Sequence, residues 1–506
     1  MTTGRPSHLG EYLTRAAARR PNHPALLVGA ARLTWSELDR RAHECATGLR
    51  AQGVSVGDRV GLFLGNRPEL VIGYFGALRA GAIVVPINPA LTAPEVRSIS
   101  EHVGLSLLVV DRATVEVAEV AAPEVPRFLA GVGTGGGSFQ SLLIGDSTIA
   151  EEAPGAETLA MVIYTSGTSG EAKGAMLTHR ALIANIEQVA AAPIAVVEPD
   201  DVVLMLLPLT HVYSLAGTLG ALTRAAATGV LVDGVEVADA LGLVGQYRVT
   251  NVPGAPAIWS IWASASEAVE VLGGLRIAFS GSAELSVDVQ HRIHTLTGWY
   301  IHEGYGLTEA APGVSSTVVS GRAKPGSVGR PFLGVSIRLL DDDGEEIDPA
   351  DGDPGEVWIK GDNLFSGYWP DGGGGPDPDG WFATGDVAFA DEDGDLHIVD
   401  RRKDVIIVSG FNVYPHEVEI ALLQHAGVRD AAVVGVPDGR SGEAVKAFVV
   451  VDSGVTLDAI GNHLGERLAR FKQPKVIEVV DALPHSLSGE VVRSRLDRAG
   501  QEETSE

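Results

Sequence analysis

Short runs of valine, isoleucine and leucine constrain this chain most. Each is followed by a stretch whose apolar residues recur at three and four. RVGLFLG (59–65) precedes RPELVIGYFGALRAG (67–81), and AIVVPI, SLLVVD, LAMVIYTSG, DVVLMLLPL, GVLVDG, TNVPG and LRIAFSG extend the series to about residue 310. A strand that is apolar at every position has no face for water, so its sheet must be covered on both sides. Intervening helices supply that cover and carry the chain back, which makes the strands parallel. The expected fold class is therefore α/β and doubly wound.

The texture then changes. SVGRPFLGVSIRLLDDDGEEIDPADGDPGEVWIKG (327–361) alternates strands with Asp/Gly turns and reads as antiparallel β structure, a small barrel or sheet. DGGGGPDPDG (371–380) is a turn-rich loop. After DRRKD (400–404) come a strand, the helix VEIALLQHAG, the strands AAVVGV and AVKAFVVV, another helix and a polar tail. That order predicts a separate α+β domain. No repeat shows at the short periods of solenoids.

Charge and cysteine content exclude whole classes of function. The net charge is −27, from 38 basic and 65 acidic residues, which argues against wrapping nucleic acid or lying on anionic lipid. Anions can bind only at local basic or backbone-donor sites. Cys45 stands alone, so no disulfide framework or cysteine-based metal site forms within one chain; a buried spectator thiol is expected. The N-terminal stretch lacks a continuous apolar signal core and reads as an amphipathic helix through Leu9, Tyr12, Leu13 and Ala16. No apolar run approaches the roughly 20 residues of a membrane span. A soluble cytoplasmic protein without an integral membrane segment is expected, with oligomeric state open.

Residues 164–177 read YTSGTSGEAKGAML. LAMVIY before them predicts a strand, and AMLTHRALIANIEQVA predicts a helix. A loop of hydroxyl residues and glycines, followed by a lysine, would make an anion cradle beside a helix start. It is not a P-loop, because Lys173 is followed by Gly174 and not by Ser or Thr.

YTSGTSGEAKG resembles the phosphate loop of the adenylate-forming superfamily, which contains acyl-CoA synthetases, firefly luciferase and the adenylation domains of peptide synthetases. PLTHVYSL (208–215), SGSAELS (280–286), EGYGLTE (303–309), TGD (384–386) and DRRKDVIIVSGFNVYPHEVE (400–419) resemble further motifs of that family, in its order. The resemblance implies an N-terminal AMP-binding domain over residues 1–402, with two doubly wound α/β subdomains and a small β-barrel-like subdomain at about 318–400. It implies a mobile α+β domain over 403–506 with its hinge at Lys403.

The implied chemistry has two steps. A carboxylate is a poor electrophile, so it is joined to the α-phosphate of ATP with loss of pyrophosphate; a thiol then attacks the acyl carbon and AMP leaves. Thr165, Ser166, Gly167, Thr168, Ser169, Gly170 and Lys173 would cover the β- and γ-phosphates. Ser282, Ala283, Glu284, Glu303 and Gly304 would flank the nucleotide, with Tyr305 stacked on adenine. Gly306 would let the backbone approach nucleotide or acyl group. Thr308 would bond the α-phosphate, and Glu309 would hold Mg²⁺, a hard cation suited to one carboxylate plus phosphate oxygens. Asp386 would accept both ribose hydroxyls, assisted by Arg401. On the acid side stand Gly281, Tyr213 and His211, the last resembling the family's gate residue; Trp259 would line the pocket or serve as core. Gly410, between Ser409 and Phe411, would face the pantetheine channel, where a side chain would block the thiol.

CoA is the favoured acceptor. Val212 stands where amino-acid-activating domains carry an aspartate, and the stretch before the hinge has no room for the insertion of acyl-AMP ligases. Fatty acids come first as substrate, with aryl and short branched acids open.

One position departs from the family. In PHSLSGEVVRSRL (484–496), Glu490 replaces the lysine that bridges substrate carboxylate and α-phosphate. A cation about 4 Å from an anion is worth roughly 4 kcal/mol at an effective dielectric of 20, and a carboxylate there repels by as much. Glu490 therefore cannot play the lysine's part. Arg493, Arg495, Lys472 or Lys475 could substitute; adenylation could be slow or lost while the thioester step survives; or the substrate or nucleophile could be unusual. In a helical segment, Glu490 and Arg493 could also pair. Two function classes fit: an acyl-CoA ligase, or a degenerate member that binds nucleotide or acyl-adenylate. The loop 371–380 replaces a helical stretch usual in the family, with little effect expected on the chemistry.

Overall fold

The apolar runs form parallel strands in two sheets. The computed structural model describes the chain apart from residues 1–4, 132–136, 146–153, 166–172, 267, 342, 349–351, 402–403, 409–410, 439–441, 486–490, 494–495 and 497–506. One sheet has six strands, in the order Arg127–Leu129, Leu107–Val110, Arg59–Phe63, Ile83–Pro86, Leu159–Thr165 and Lys173–Thr178. All neighbours are parallel except the last pair. The other has nine strands, in the order Arg330–Pro331, Gly313–Ser316, His302–Gly306, Ile277–Ser280, Asn251–Gly254, Val202–Met205, Thr228–Leu231, Pro24–Val28 and Ala31–Thr34. Its middle is parallel and its ends are antiparallel. Ile83–Pro86, Leu107–Val110, Thr228–Leu231 and Ile277–Ser280 are buried at every residue, as strands covered on both faces must be.

The helix Pro68–Arg79 shows how the crossovers arise. Proline at its first position presets φ and needs no hydrogen-bond partner, and Ala80 follows Arg79 at its end. The helix packs on Trp35–Ala51, burying Cys45 completely; desolvation pushes that thiol up to about 12. The N-terminal helix Gly10–Arg19 buries Tyr12, Leu13 and Ala16. Among the described residues, no helix is long and apolar enough to cross a membrane.

One expectation needs correction. The start of AMLTHRALIANIEQVA is strand, not helix: Lys173–Thr178 pairs antiparallel with Leu159–Thr165, Thr165 facing Lys173. Ala175, Met176 and Leu177 are all buried, which a strand inside a sheet achieves and one helical stripe does not. The helix begins at His179, capped by Thr178, whose Oγ1 accepts from the Ala181 amide at 3.1 Å. The glycine- and hydroxyl-rich stretch therefore lies between antiparallel strands and not at a helix start.

The chain divides into two units, residues 1–336 with 360–382, and residues 337–359 with 383–506. The second contains all but a few end residues of a four-stranded sheet, Val335–Leu340, Gly355–Gly361, Phe382–Ala390 and Leu396–Arg401. It also contains the expected α+β arrangement. Phe411–Val413, Ile406–Val408, Gly442–Val451 and Val428–Asp438 form a sheet, with Val476–Val479 beside Gly442–Val451. The helices Pro415–Leu423 and Leu457–Gly465 contribute Val418, Leu422 and Ile460 to its core, against Val433, Val445 and Val449.

Candidate active site

Ligands of doubly wound sheets bind beyond the carboxyl ends of the strands. At that edge of the nine-stranded sheet, three strands deliver the expected motifs. Val202–Met205 leads to Pro208–Leu215, Ile277–Ser280 to Gly281–Leu285, and His302–Gly306 to Leu307–Ala310. The three meet: a Cβ on Gly281 would lie 3.4 Å from the Tyr213 ring and 3.9 Å from the Gly304 carbonyl.

Buried amides hold these loops. Asn66, just beyond the strand Arg59–Phe63, donates to the carbonyls of Met205 (3.2 Å) and Leu207 (2.9 Å) and accepts from the Leu209 amide (2.7 Å). It clamps the segment that carries His211. Asn363 donates to the carbonyls of Ala310 (2.8 Å) and Gly313 (3.2 Å), and Asn185 exchanges bonds of 2.8 and 3.1 Å with Gly313. Sequence reasoning missed all three; an asparagine just past an apolar strand, as in GNRPEL, was the one available signal.

His211 Nδ1 accepts from the Tyr213 amide at 3.3 Å, which places the ring proton on Nε2. His211 is exposed, yet the protein around its ring lowers its pKa by desolvation, which favours the neutral form. Tyr213 opens a π-helical turn, Tyr213–Thr218, and burial raises its pKa. Trp259 is packed in the core. It is fully buried, donates its indole N–H to the Phe279 carbonyl at 2.8 Å and meets Trp262 edge-on at 5.6 Å.

Two nucleotide-side residues have close contacts within the protein itself. Glu303 points into the protein. It is 4% exposed and accepts from Gln290 Nε2 at 2.9 Å and the Leu285 amide at 3.3 Å. Its carboxylate therefore ties down the loop after Ser280 from behind, and desolvation pushes its pKa up to about 7. Gly306 is required by its own chain, because a Cβ there would fall on the Pro312 carbonyl oxygen, which accepts from the Leu307 amide. Ser282 holds φ at +72°, a conformation that costs a non-glycine residue about 1–3 kcal/mol and clusters at functional sites. Ser282, Ala283, Tyr305 and Thr308 are half-buried, and Glu284 is exposed.

Glu309 sits on a short 3₁₀ turn, Thr308–Ala310. The Tyr368 hydroxyl donates to its Oε1 at 2.6 Å, and the Tyr368 ring lies under Lys173, 5.2 Å from Nζ to centroid. The segment carrying Tyr368 runs beside the Lys173 strand. Ser366 donates to Met176 (2.9 Å), Met176 to Gly367 (3.1 Å) and Trp369 to Gly174 (2.8 Å), while Phe365 donates to the Glu309 carbonyl (2.8 Å). Among the described residues no donor reaches Glu309 Oε2. One free oxygen of a half-buried carboxylate fits a Mg²⁺ ion, which takes few protein ligands and completes its shell with water and phosphate.

In the second unit, Asp386 and Arg401 are register partners on adjacent antiparallel strands. Ser166 to Gly170, Lys403, Ser409, Gly410 and Glu490 lie outside the described residues, as do the side chains of Arg401 and Phe411. Three of the four candidate substitute cations pair with carboxylates. Arg493 bonds Glu419 at 2.7 Å, Lys472 bonds Glu417 at 2.6 Å and Lys475 bonds Asp438 at 2.9 Å. Arg493 is thus paired to Glu419, while Arg495 lies outside the described residues.

Residues 13–369 match the AMP-binding enzyme family, and residues 417–490 match the AMP-binding enzyme C-terminal domain. The chain belongs to the adenylate-forming acyl-CoA synthetase family. It is 34% identical over 531 residues to a long-chain-fatty-acid–CoA ligase of Yersinia pestis, covering 97% of this chain and 94% of that one. It is 36% identical over 509 residues to a feruloyl-CoA synthase of an Amycolatopsis species, covering 97% and 98%. Its fold matches that of ATP-bound MatB from Rhodopseudomonas palustris with a TM-score of 0.90 at 32% identity, over 97% of this chain and 98% of that one. Members of this acyl-CoA synthetase family are AMP-forming acid–thiol ligases that form an acyl-adenylate from ATP and transfer the acyl group to CoA.

Proposed function

We propose that this acyl-CoA synthetase activates a fatty acid, with Lys173 and the loop before it on the β- and γ-phosphates, Thr308 on the α-phosphate and Glu309 on Mg²⁺. Tyr305 stacks on adenine, Asp386 and Arg401 take the ribose, and His211 and Tyr213 stand at the acyl pocket. Domain 403–506 turns about Lys403 between the two steps, bringing Ser409, Gly410 and Phe411 to the pantetheine arm. The supporting observation is Tyr368, hydrogen-bonded to Glu309 and facing Lys173 with its ring, which links the Lys173 strand to the turn that carries Glu309. A fatty acid is favoured by the relatives named for long-chain fatty acids, with the feruloyl relative keeping aryl acids second.

A second reading has an observation of its own. Among the described residues, the three candidate stand-ins for the cation that Glu490 displaces, Arg493, Lys472 and Lys475, are each bonded to a carboxylate. This favours weak adenylation with a surviving thioester step, or a nucleotide-binding non-ligase. Pyrophosphate release with ATP, Mg²⁺, CoA and a panel of fatty, aryl and branched acids decides between them, run in parallel on Glu490→Lys. Release at ordinary rates by the unaltered chain ends the second reading. Release only after Glu490→Lys supports weak adenylation, and none from either chain counts against ligase activity.

A further inference from the structure

Lys173 and Glu309 carry opposite charges and are both wanted free, one for phosphate and one for a cation. An ammonium that pairs with that carboxylate is lost to the nucleotide. Among the described residues no ion pair joins them; the Tyr368 side chain meets both. The Tyr368 hydroxyl donates to Glu309 Oε1 at 2.6 Å, and its ring face meets Lys173 Nζ at 5.2 Å from the centroid. We propose that Tyr368 is a positioning residue: its hydroxyl aims the Glu309 carboxylate, and its ring keeps Lys173 from collapsing onto it. This rests on the reading of Glu309 as the Mg²⁺ ligand.

The frame is rigid enough for that task. The backbone on either side of Tyr368 is bonded into the Lys173 strand through Gly367 and Trp369, and Phe365 holds the Glu309 turn. Phe365 also meets the Tyr368 ring edge-on at 5.0 Å. The glycine-rich loop closes the arrangement. Tyr368 donates to the Gly373 carbonyl at 3.0 Å and accepts from the Gly372 amide at 2.8 Å. Gly367 sits at φ +90°, where a side chain would overlap the Gly372 carbonyl. The stretch 371–380, of which little effect on the chemistry is expected, is thus bonded to the backbone of Tyr368.

Outer partners that orient a metal ligand typically matter by 10–100-fold in affinity. Calorimetry of ATP binding, with Mg²⁺ and with chelator, separates the parts. In Tyr368→Phe the ring stays and the hydroxyl goes. The tightening of ATP binding by Mg²⁺ should fall about tenfold, with metal-free ATP affinity within about twofold of the unaltered protein. In Tyr368→Leu, Lys173 is released toward Glu309, and metal-free ATP affinity should fall several-fold; adding Glu309→Gln should restore it. An unchanged Mg²⁺ effect in Tyr368→Phe overturns the proposal. So does equal loss with and without Mg²⁺, which marks a merely structural residue, or failure of the double variant to recover. Glu309→Gln alone separates the two readings. If it leaves the Mg²⁺ effect intact, the Glu309 assignment falls; if it removes that effect while Tyr368→Phe does not, only the role of Tyr368 falls.

Discussion

Replacing Glu303 with glutamine should flatten a pH dependence that one buried carboxyl imposes. Glu303 is 4% exposed and braces the loop after Ser280 through the Leu285 amide. Its folded-state pKa is raised from 4.5 to about 7, desolvation first, with repulsion from Glu284 adding. At roughly 1.4 kcal/mol per pKa unit, the displacement corresponds to about 3 kcal/mol. The raised pKa sets the sign. The folded state binds the proton more tightly, so the contribution is fully present below pH 4.5 and is lost as pH rises through about 7. Urea denaturation from pH 5 to 8 should show the unaltered protein losing up to about 3 kcal/mol relative to Glu303→Gln. Glutamine changes the bonds to Gln290 and Leu285 by an amount that does not vary with pH, so the slope is the test. Parallel stability curves for the two proteins would refute the reasoning.

Asn66→Ala strands two buried carbonyls and one amide around Leu207; a loss of about 2–4 kcal/mol is expected by thermal unfolding, with pyrophosphate release falling at least tenfold as the His211 segment loosens. Gly306→Ala sets a methyl group onto the Pro312 carbonyl and should abolish ATP binding by calorimetry or lower the melting temperature by several degrees; unchanged values for both would contradict the hairpin geometry. Arg493→Ala leaves the 8%-exposed Glu419 without its guanidinium, and limited proteolysis should cut the α+β part faster, for a loss of about 3 kcal/mol.

Much of this protein is legible residue by residue. Unbroken apolar runs report burial on both faces, which is a local property, so the parallel layers and the C-terminal α+β pattern can be read directly. The ordered motifs likewise carry the family and the place of Lys173, Glu309 and Asp386 along the chain. Periodicity failed at Lys173–Thr178, where a short buried run beside a true helix reads as more of that helix; only the facing strand distinguishes the two. Glu303, inside a nucleotide motif, turned inward because Gln290 and Leu285 lie behind it. Asn66, Tyr368 and Arg493 show the same limit. Their partners lie 139–143, 59 and 74 residues away, and nothing in the neighbourhood of any of them names the partner. Sequence pattern speaks of side chains a few positions apart. Which distant donor meets which acceptor, and therefore which residues aim the site, is decided only when the sheets close and bring those segments within bonding distance.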